Sequence, residues 1–569
     1  MTEIKVYSLR TMATTSYKSK PTAVRSIELT EEIQALQDVT SYQRVRTYVT
    51  HDGDLLGMVE IDNEGQVVSA EKLRETILYE LKWTLLEHRP TDYSELAATV
   101  AVTADDKEQN SMSTYVKDDN RFVPFSQFMG KNLPTWIIDL SQPLEEVADV
   151  SEHDSVRIIF TQQGKPLGWK EITTHRQPLT KGKLRSEIAK GIGVELVTGN
   201  IAANEYTNWL ICQEKLANIF FDSVETTAVA NPVERLALTE PVSIVIATLD
   251  RPDDLRECLL SLMDQDTERD VEIIVVDNNP DSGLTPPVVA EFPGIILVDE
   301  QRKGLAYARN AGFTASTGNI AVATDDDVIF PKDWLERLLA PFSRKDVMIV
   351  TGNVLPIELE TDSQRLFESY GGLGRGFKRL EVNGDWFDHY RFKSVPTWEL
   401  GATANAAFRT SIFQDPDIGL MEESLGPGTP AGVGEDTYLF YKVLKAGWTL
   451  VYEPRSYVWH KHRSTMEALR RQLYNYSKGH IAYHTKLFVS DGDWRGLTRI
   501  FIEMPMYHWW RFKQRLKGQS IYPLSLLSLE IRGALAGIPA LWRSQRRVKR
   551  LGRSSPYISP ELRPHGMDG

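Results

Sequence analysis

Residues 318–334 read GNIAVATDDDVIFPKDW. Asn319 through Thr324 has the composition of a buried strand, and the chain then runs straight into Asp325, Asp326 and Asp327. Three neighbouring carboxylates at the mouth of an apolar strand repel one another. That repulsion persists only where a positive charge sits among them or where the cluster lies out in water. A solvated turn, a calcium loop and a nucleotide–metal site are the three readings. The calcium loop fails, because the alternating oxygens and terminal glutamate of an EF-hand are missing. What surrounds the triplet decides between the other two.

Upstream, strand-like VSIVIAT (242–248) and VEIIVVD (271–277) alternate with helix-like PDDLRECLLSLMDQ (252–265) and GLAYARNAGFTAST (304–317). Continuous Val/Ile runs without polar alternation are what parallel strands covered on both faces look like. Strands alternating with helices predict an open α/β sheet, in which ligands collect at the carboxyl ends of the strands. The polar residues gather at those ends: Thr248, Asp250 and Arg251, then Asp277 and Asn278, then the Asp triplet.

The 569 residues exceed one ordinary core and predict two to four domains, and the 41% hydrophobic and 25% charged content is that of a folded chain. A net charge of −13 argues against nucleic acid as a partner. Two cysteines, Cys212 and Cys258, make neither a disulfide framework nor a zinc cluster and fit a reducing compartment. The first residues lack the apolar core of a signal peptide, and no run of 18 uncharged apolar residues marks a membrane span. A cytoplasmic protein is expected.

The first third repeats itself. VRTYVTHDGDLLGMVEI (45–61) matches VRIIFTQQGKPLGWKEI (156–172) at a constant offset of 111 residues, and Leu73, Arg74 and Ile77 align with Leu184, Arg185 and Ile188. Each copy (45–77 and 156–188) reads as strand, turn, strand and helix within a β-rich domain covering 1–235. The shared glycines, Gly53 with Gly164 and Gly57 with Gly168, suit a turn and a close backbone approach. The unit carries no chemical constellation and reads as a structural or recognition module. Residues 236–490 form the α/β domain and 491–569 a basic helical region. From Arg499 to Arg553 there are twelve Lys/Arg against only Glu503 and Glu530, with aromatics interleaved. Two readings stand: a segment lying on an anionic membrane surface through 499–553, or helices packed on the domain with a solvated basic face.

Over about residues 240–485 the sequence resembles glycosyltransferase family 2, enzymes of the Rossmann-like GT-A fold. The carriers are VSIVIATLDRPDDLRECLLSL, VEIIVVDNN, RKGLAYARNAGFTASTGNIAVATDDDV, GATANAAFR and GVGEDTYLFYKVLKAGW, in the family's order. The resemblance implies that the acidic triplet is a DxD motif binding Mn²⁺ or Mg²⁺. Asp327 would be a metal ligand, Asp325 would meet the metal or the ribose, and Asp326 would take either role or shape the turn. Asp277 would hold the base, accepting from uracil N3–H. Thr248, Arg251 and Arg309 would hold the nucleotide.

The pair Glu435 and Asp436 could merely complement a helix dipole. The resemblance instead implies the general base there, Asp436, with Glu435 positioning the acceptor. His460 would be a further metal ligand, with His462 as the alternative, and imidazole tilts the preference toward Mn²⁺. Gly371, Gly372, Gly374 and Gly376, among Arg375, Lys378 and Arg379, read as a mobile basic loop without Walker spacing. The whole implies an inverting transferase that moves sugar from a nucleotide sugar, UDP-linked, to a hydroxyl of a glycan or lipid-linked acceptor in envelope polysaccharide or glycolipid synthesis. The alternatives are a soluble small-molecule or peptide acceptor, or a non-catalytic nucleotide-sugar or glycan binder.

Overall fold

The structure is a computed structural model that describes residues 21–88, 134–198 (apart from 141, 143, 154, 163, 164 and 175), 216, 236–518 and 522–563. Cys212 and Gly164 lie outside the described residues. The chain divides into two compact units, Val24–Val233 and Glu234–Gly569 with Met1–Ala23.

In the first unit, β1 (Thr22–Glu28), β2 (Arg44–His51) and β3 (Asp54–Asp62) form one three-stranded sheet, followed by α1 (Ala70–Glu80) and α2 (Lys82–His88). The second sheet holds β4 (Thr135–Asp139), β5 (Ser155–Gln162) and β6 (Lys165–Thr173), and α3 (Lys181–Thr198) follows it. The two sheets repeat in register as well as in sequence. Val45 faces Ile61 and Val156 faces Ile172, and the register slips between Val49 and Thr50 in one copy and between Phe160 and Thr161 in the other. Isolated bridges join Leu36 to Val68 and Val147 to Leu179, again at equivalent positions. Leu73, Ile77, Leu184 and Ile188 are all fully buried, each such side chain contributing about 1.5–3 kcal/mol. Gly53 takes the positive φ of the turn, and a Cβ on Gly57 would lie 2.8 Å from Leu81.

The second unit is built on a nine-stranded sheet. Its strands are β7 (Val242–Thr248), β8 (Val271–Asp277), β9 (Ile296–Asp299), β10 (Ile320–Asp325), β11 (Val328–Ile329), β12 (Val347–Pro356), β13 (Leu380–Val382), β14 (Asn405–Arg409) and β15 (Thr449–His460). The order is β11-β15-β12-β14-β10-β7-β8-β9, with β13 beside β15. Every residue of β7 is buried, and the alternation of its side chains explains why. Ile244 and Ile246 enter one core layer with Leu255, Cys258, Leu259 and Leu262 of α4 (Pro252–Met263). Val245 and Ala247 enter the other with Ala306, Ala308 and Phe313 of α5 (Leu305–Ala315). Helix α5 sits so close that a Cβ on Gly312 would lie 2.2 Å from Val245.

The parallel arrangement expected from the apolar runs holds for β9, β8, β7 and β10. Beyond them the sheet is mixed, because β14 runs antiparallel between β10 and β12 while β12 and β15 are parallel. Side-chain alternation records which faces of a strand are covered and says nothing about its direction.

The glycine-rich stretch expected to be a mobile basic loop has fixed partners. Asn353 and Tyr452 both donate to the Gly376 carbonyl, β13 pairs with β15, and Arg375 spends its guanidinium on the carbonyls of Leu373, Gly374 and Trp398.

Helix α6 (Asp362–Tyr370) precedes that stretch, and α7 (Glu435–Lys445), α8 (Met466–Asp491), α9 (Met504–Leu516) and α10 (Leu524–Leu551) follow it. Helix α10 is long and apolar enough to cross a membrane by length and composition. Here its inner face packs along α8, where a Cβ on Gly533 would lie 2.5 Å from the Tyr474 carbonyl and one on Gly537 2.5 Å from Ile481 Cβ. Glu530 is buried and takes hydrogen bonds from Arg511 and Tyr522. The chain beyond α10 returns to α5: Tyr307 donates to the Gly552 carbonyl, and Arg563 donates to the carbonyls of Ala315 and Ser316.

Candidate active site

The acidic triplet stands where β10 ends and turns into β11. Asp326 accepts from the Thr248 hydroxyl at 2.7 Å and from Arg251 at 3.2 Å, and the same Arg251 nitrogen donates to Asp327 at 2.6 Å. Thr248 and Arg251 come from the end of β7 and the loop after it, which parallel pairing in register with β10 brings alongside. Asp325 accepts from Arg309 at 2.7 Å. The positive groups that the triplet demanded are therefore present. Burial, reinforced by the Asp327 charge, pushes the Asp326 carboxyl up to about 7. Asp327 is buried too, yet His460 when protonated, Arg251 and Arg463 outweigh the burial and hold it below the usual carboxylate range.

His460, the last residue of β15, reaches the triplet because β15 pairs antiparallel with β11 and sets His460 opposite Val328. Its Nε2 lies 3.3 Å from Asp327 Oδ1. Behind it the two ring Nδ1 atoms of His460 and His462 are 3.1 Å apart, and His462 Nε2 is 3.0 Å from Glu368 Oε1 at the end of α6. When Glu368 accepts from His462 Nε2–H and His462 carries no second proton, its Nδ1 is an acceptor for the Nδ1–H of His460. The lone pair of His460 Nε2 then faces a carboxylate oxygen. Burial favours this neutral form by lowering the affinity of His460 for a second proton. Two electron-rich atoms in that relation call for a cation. Asp325, Asp327 and His460 each offer a ligand atom, all within 4.8 Å of one another. Two carboxylates and an imidazole fit Mn²⁺ or Mg²⁺. Among the described residues His462 faces Glu368, so it stands behind His460.

Arg309 is buried to 1% exposure and bridges two segments. Its guanidinium donates to Asp325, to the hydroxyl and carbonyl of Thr403, and to Glu435 at 3.2 Å. Glu435 opens α7 and is itself 3% exposed; burial, then the adjacent Asp436, pushes it up to about 7 against the pull of Arg309. Asp436 is half-buried and accepts from the backbone and hydroxyl of Thr437. The same helix start thus carries one withdrawn carboxylate and one accessible one. In GATANAAFR, Asn405–Arg409 is a packed strand, and only Thr403 before it reaches the site.

At the end of β8, Asp277 is fully buried. Its Oδ1 accepts from Asn279 N–H at 2.9 Å, while Oδ2 has no partner among the described residues. A buried, unpaired carboxylate oxygen is costly. Asn278 braces the neighbouring loop, donating to the carbonyls of Glu300 and Arg302 and accepting from Gly304 N–H.

Residues 243–415 match the family model described as Glycosyl transferase family 2. Over those residues the second unit is similar to glycosyltransferase family 2. Similar proteins include the pre-mycofactocin glycosyltransferase of Mycobacterium tuberculosis, 28% identical over 42% of this chain and 47% of that protein. Glycosyltransferase AglE of Haloferax volcanii is 26% identical over 42% of this chain and 73% of its own. The glucosyl-dolichyl phosphate glucuronosyltransferase of the same organism is 28% identical over 28% of this chain and 55% of its own. The chain thus spans about half the length of the pre-mycofactocin relative.

In this unit, sequence reasoning missed Glu368 and gave no contact to Thr403, though Asn278 was already marked at the end of its strand. No local pattern marks the first two: Glu368 lies 94 positions from His462 and Thr403 lies 94 from Arg309.

Proposed function

We propose that the protein is an inverting glycosyltransferase that moves a sugar from a UDP-linked donor to an acceptor hydroxyl. One observation supports this: Arg309 ties the Asp325 end of the triplet to Glu435, beside the half-buried Asp436, at the start of α7.

Asp277 would accept from the base N3–H through its unpaired Oδ2, and Thr248 and Arg251 would fix the turn against which the nucleotide lies. Asp325, Asp327 and His460 would hold Mn²⁺ or Mg²⁺. When bound, that ion offsets negative charge on the departing diphosphate. Asp436 takes the proton of the acceptor hydroxyl as its oxygen bonds to the anomeric carbon. The bond from that carbon to the diphosphate oxygen breaks, and its electron pair leaves with the diphosphate. No side chain forms a covalent intermediate, so displacement in line inverts the carbon. Glu435, shut in by Arg309, positions rather than reacts.

A lipid-linked or glycan acceptor, in envelope polysaccharide or glycolipid synthesis on the cytoplasmic side, suits the basic aromatic C-terminal region. The similarity to a glucosyl-dolichyl phosphate glucuronosyltransferase points the same way. The test is Asp436→Asn. UDP binding should persist while transfer falls by about 10²–10⁴-fold; transfer within tenfold of the parent would remove Asp436 from the mechanism.

A further inference from the structure

The C-terminal helices expose more apolar surface than a solvated face needs. Phe501, Met506 and Trp509 are 66%, 65% and 57% exposed, and Leu535 on α10 is 77% exposed. Along α10, Leu524, Ile531, Leu535, Ile538 and Trp542 fall within about 60° of one another at 100° per residue. The buried set that packs on α8 lies on the other side of the helix. A contiguous apolar stripe of this kind marks an interaction surface.

Charge chooses its occupant. Twelve Lys/Arg stand against two Glu between Arg499 and Arg553 in a chain of net charge −13. Both glutamates are already used: Glu503 accepts from Arg499 and Ser394, and Glu530 from Arg511 and Tyr522. Arg532, Arg543, Arg546, Lys549 and Arg550 are exposed beside the stripe. Exposed Trp509, Trp510 and Trp542 add rings that favour the boundary between lipid and water.

We propose that α9 and the outer face of α10 dock on an anionic lipid bilayer, lying flat in its interface with the stripe among the acyl chains and the cations among the headgroups. The helix lies on the membrane and does not cross it. Crossing would strip its inner face from α8 and carry the Arg511–Glu530 pair into hydrocarbon.

This inference goes beyond the proposed reaction and is tested without it. The full chain is sedimented with vesicles of phosphatidylcholine alone or with a quarter phosphatidylglycerol. Binding to the anionic vesicles only, weakened by added salt, is expected. Leu535→Glu should lower the bound fraction at least tenfold, and Arg546→Ala should weaken binding roughly fivefold, with unchanged thermal unfolding in both. No binding, or equal binding to neutral and anionic vesicles, overturns the proposal. Self-association of the protein that Leu535→Glu abolishes, without vesicle binding, also overturns it and assigns the stripe to a second copy.

Discussion

Arg309 and Glu435, 126 positions apart in the chain, meet at 3.2 Å in an ion pair almost wholly withdrawn from solvent. Burying two charges is costly, and the arrangement holds because the guanidinium also serves Asp325 and Thr403. Removing one partner leaves the others uncompensated. Arg309→Met should therefore destabilise the unit by about 3–5 kcal/mol, read from urea unfolding followed by tryptophan fluorescence. Arg309→Lys should recover only part of this, since one ammonium cannot reproduce the forked contacts.

The proposed ion at Asp325, Asp327 and His460 is open to a direct test. Chelation should abolish transfer and Mn²⁺ should restore it. Asp327→Asn should lose Mn²⁺ binding, followed by electron paramagnetic resonance, because Asp327 sits between His460 and Arg251 and offers one of the three ligand atoms.

Glu368 acts through its neighbours. It holds His462, which holds His460 in the tautomer that presents Nε2 to Asp327. Glu368→Gln should weaken Mn²⁺ binding about 10–100-fold by calorimetry while leaving UDP binding in the absence of metal near its parent value. Gly372→Ala should do likewise, since a Cβ there would lie 2.2 Å from Glu368 Oε1 on a backbone of positive φ.

Stability should fall in acid through Glu422. Burial raises its affinity for a proton, but Lys486 at 2.9 Å, the Ser424 contact and Arg553 outweigh it and bring the carboxyl from 4.5 down to about 2. A value lower when folded than when unfolded gives stabilisation that is whole above about pH 4.5 and is lost as pH drops toward 2. The amount is about 3 kcal/mol. The urea midpoint of Glu422→Gln should therefore change less between pH 5 and pH 2.5 than that of the parent.

The strands at Val242–Thr248, Val271–Asp277 and Ile320–Asp325 were legible because continuous apolar runs have one stable fate, burial on both faces. Strand β14 was not, since Asn405–Arg409 is short and its direction is set by neighbours on either side. Asp325, Asp327 and His460 could be singled out through a motif, and the fold gathers their ligand atoms within one cluster. Arg309 read as a nucleotide-facing cation; its burial depends on Asp325 and Glu435, which only tertiary structure supplies. Glu368 was invisible for the same reason.

The slip of register in the N-terminal unit falls at Val49/Thr50 and again at Phe160/Thr161. Two independent origins for one irregularity at matched positions would be a coincidence; a single origin is simpler. The repeat thus preserves a bulge along with its residues, and each three-stranded sheet bends its central strand at the same place.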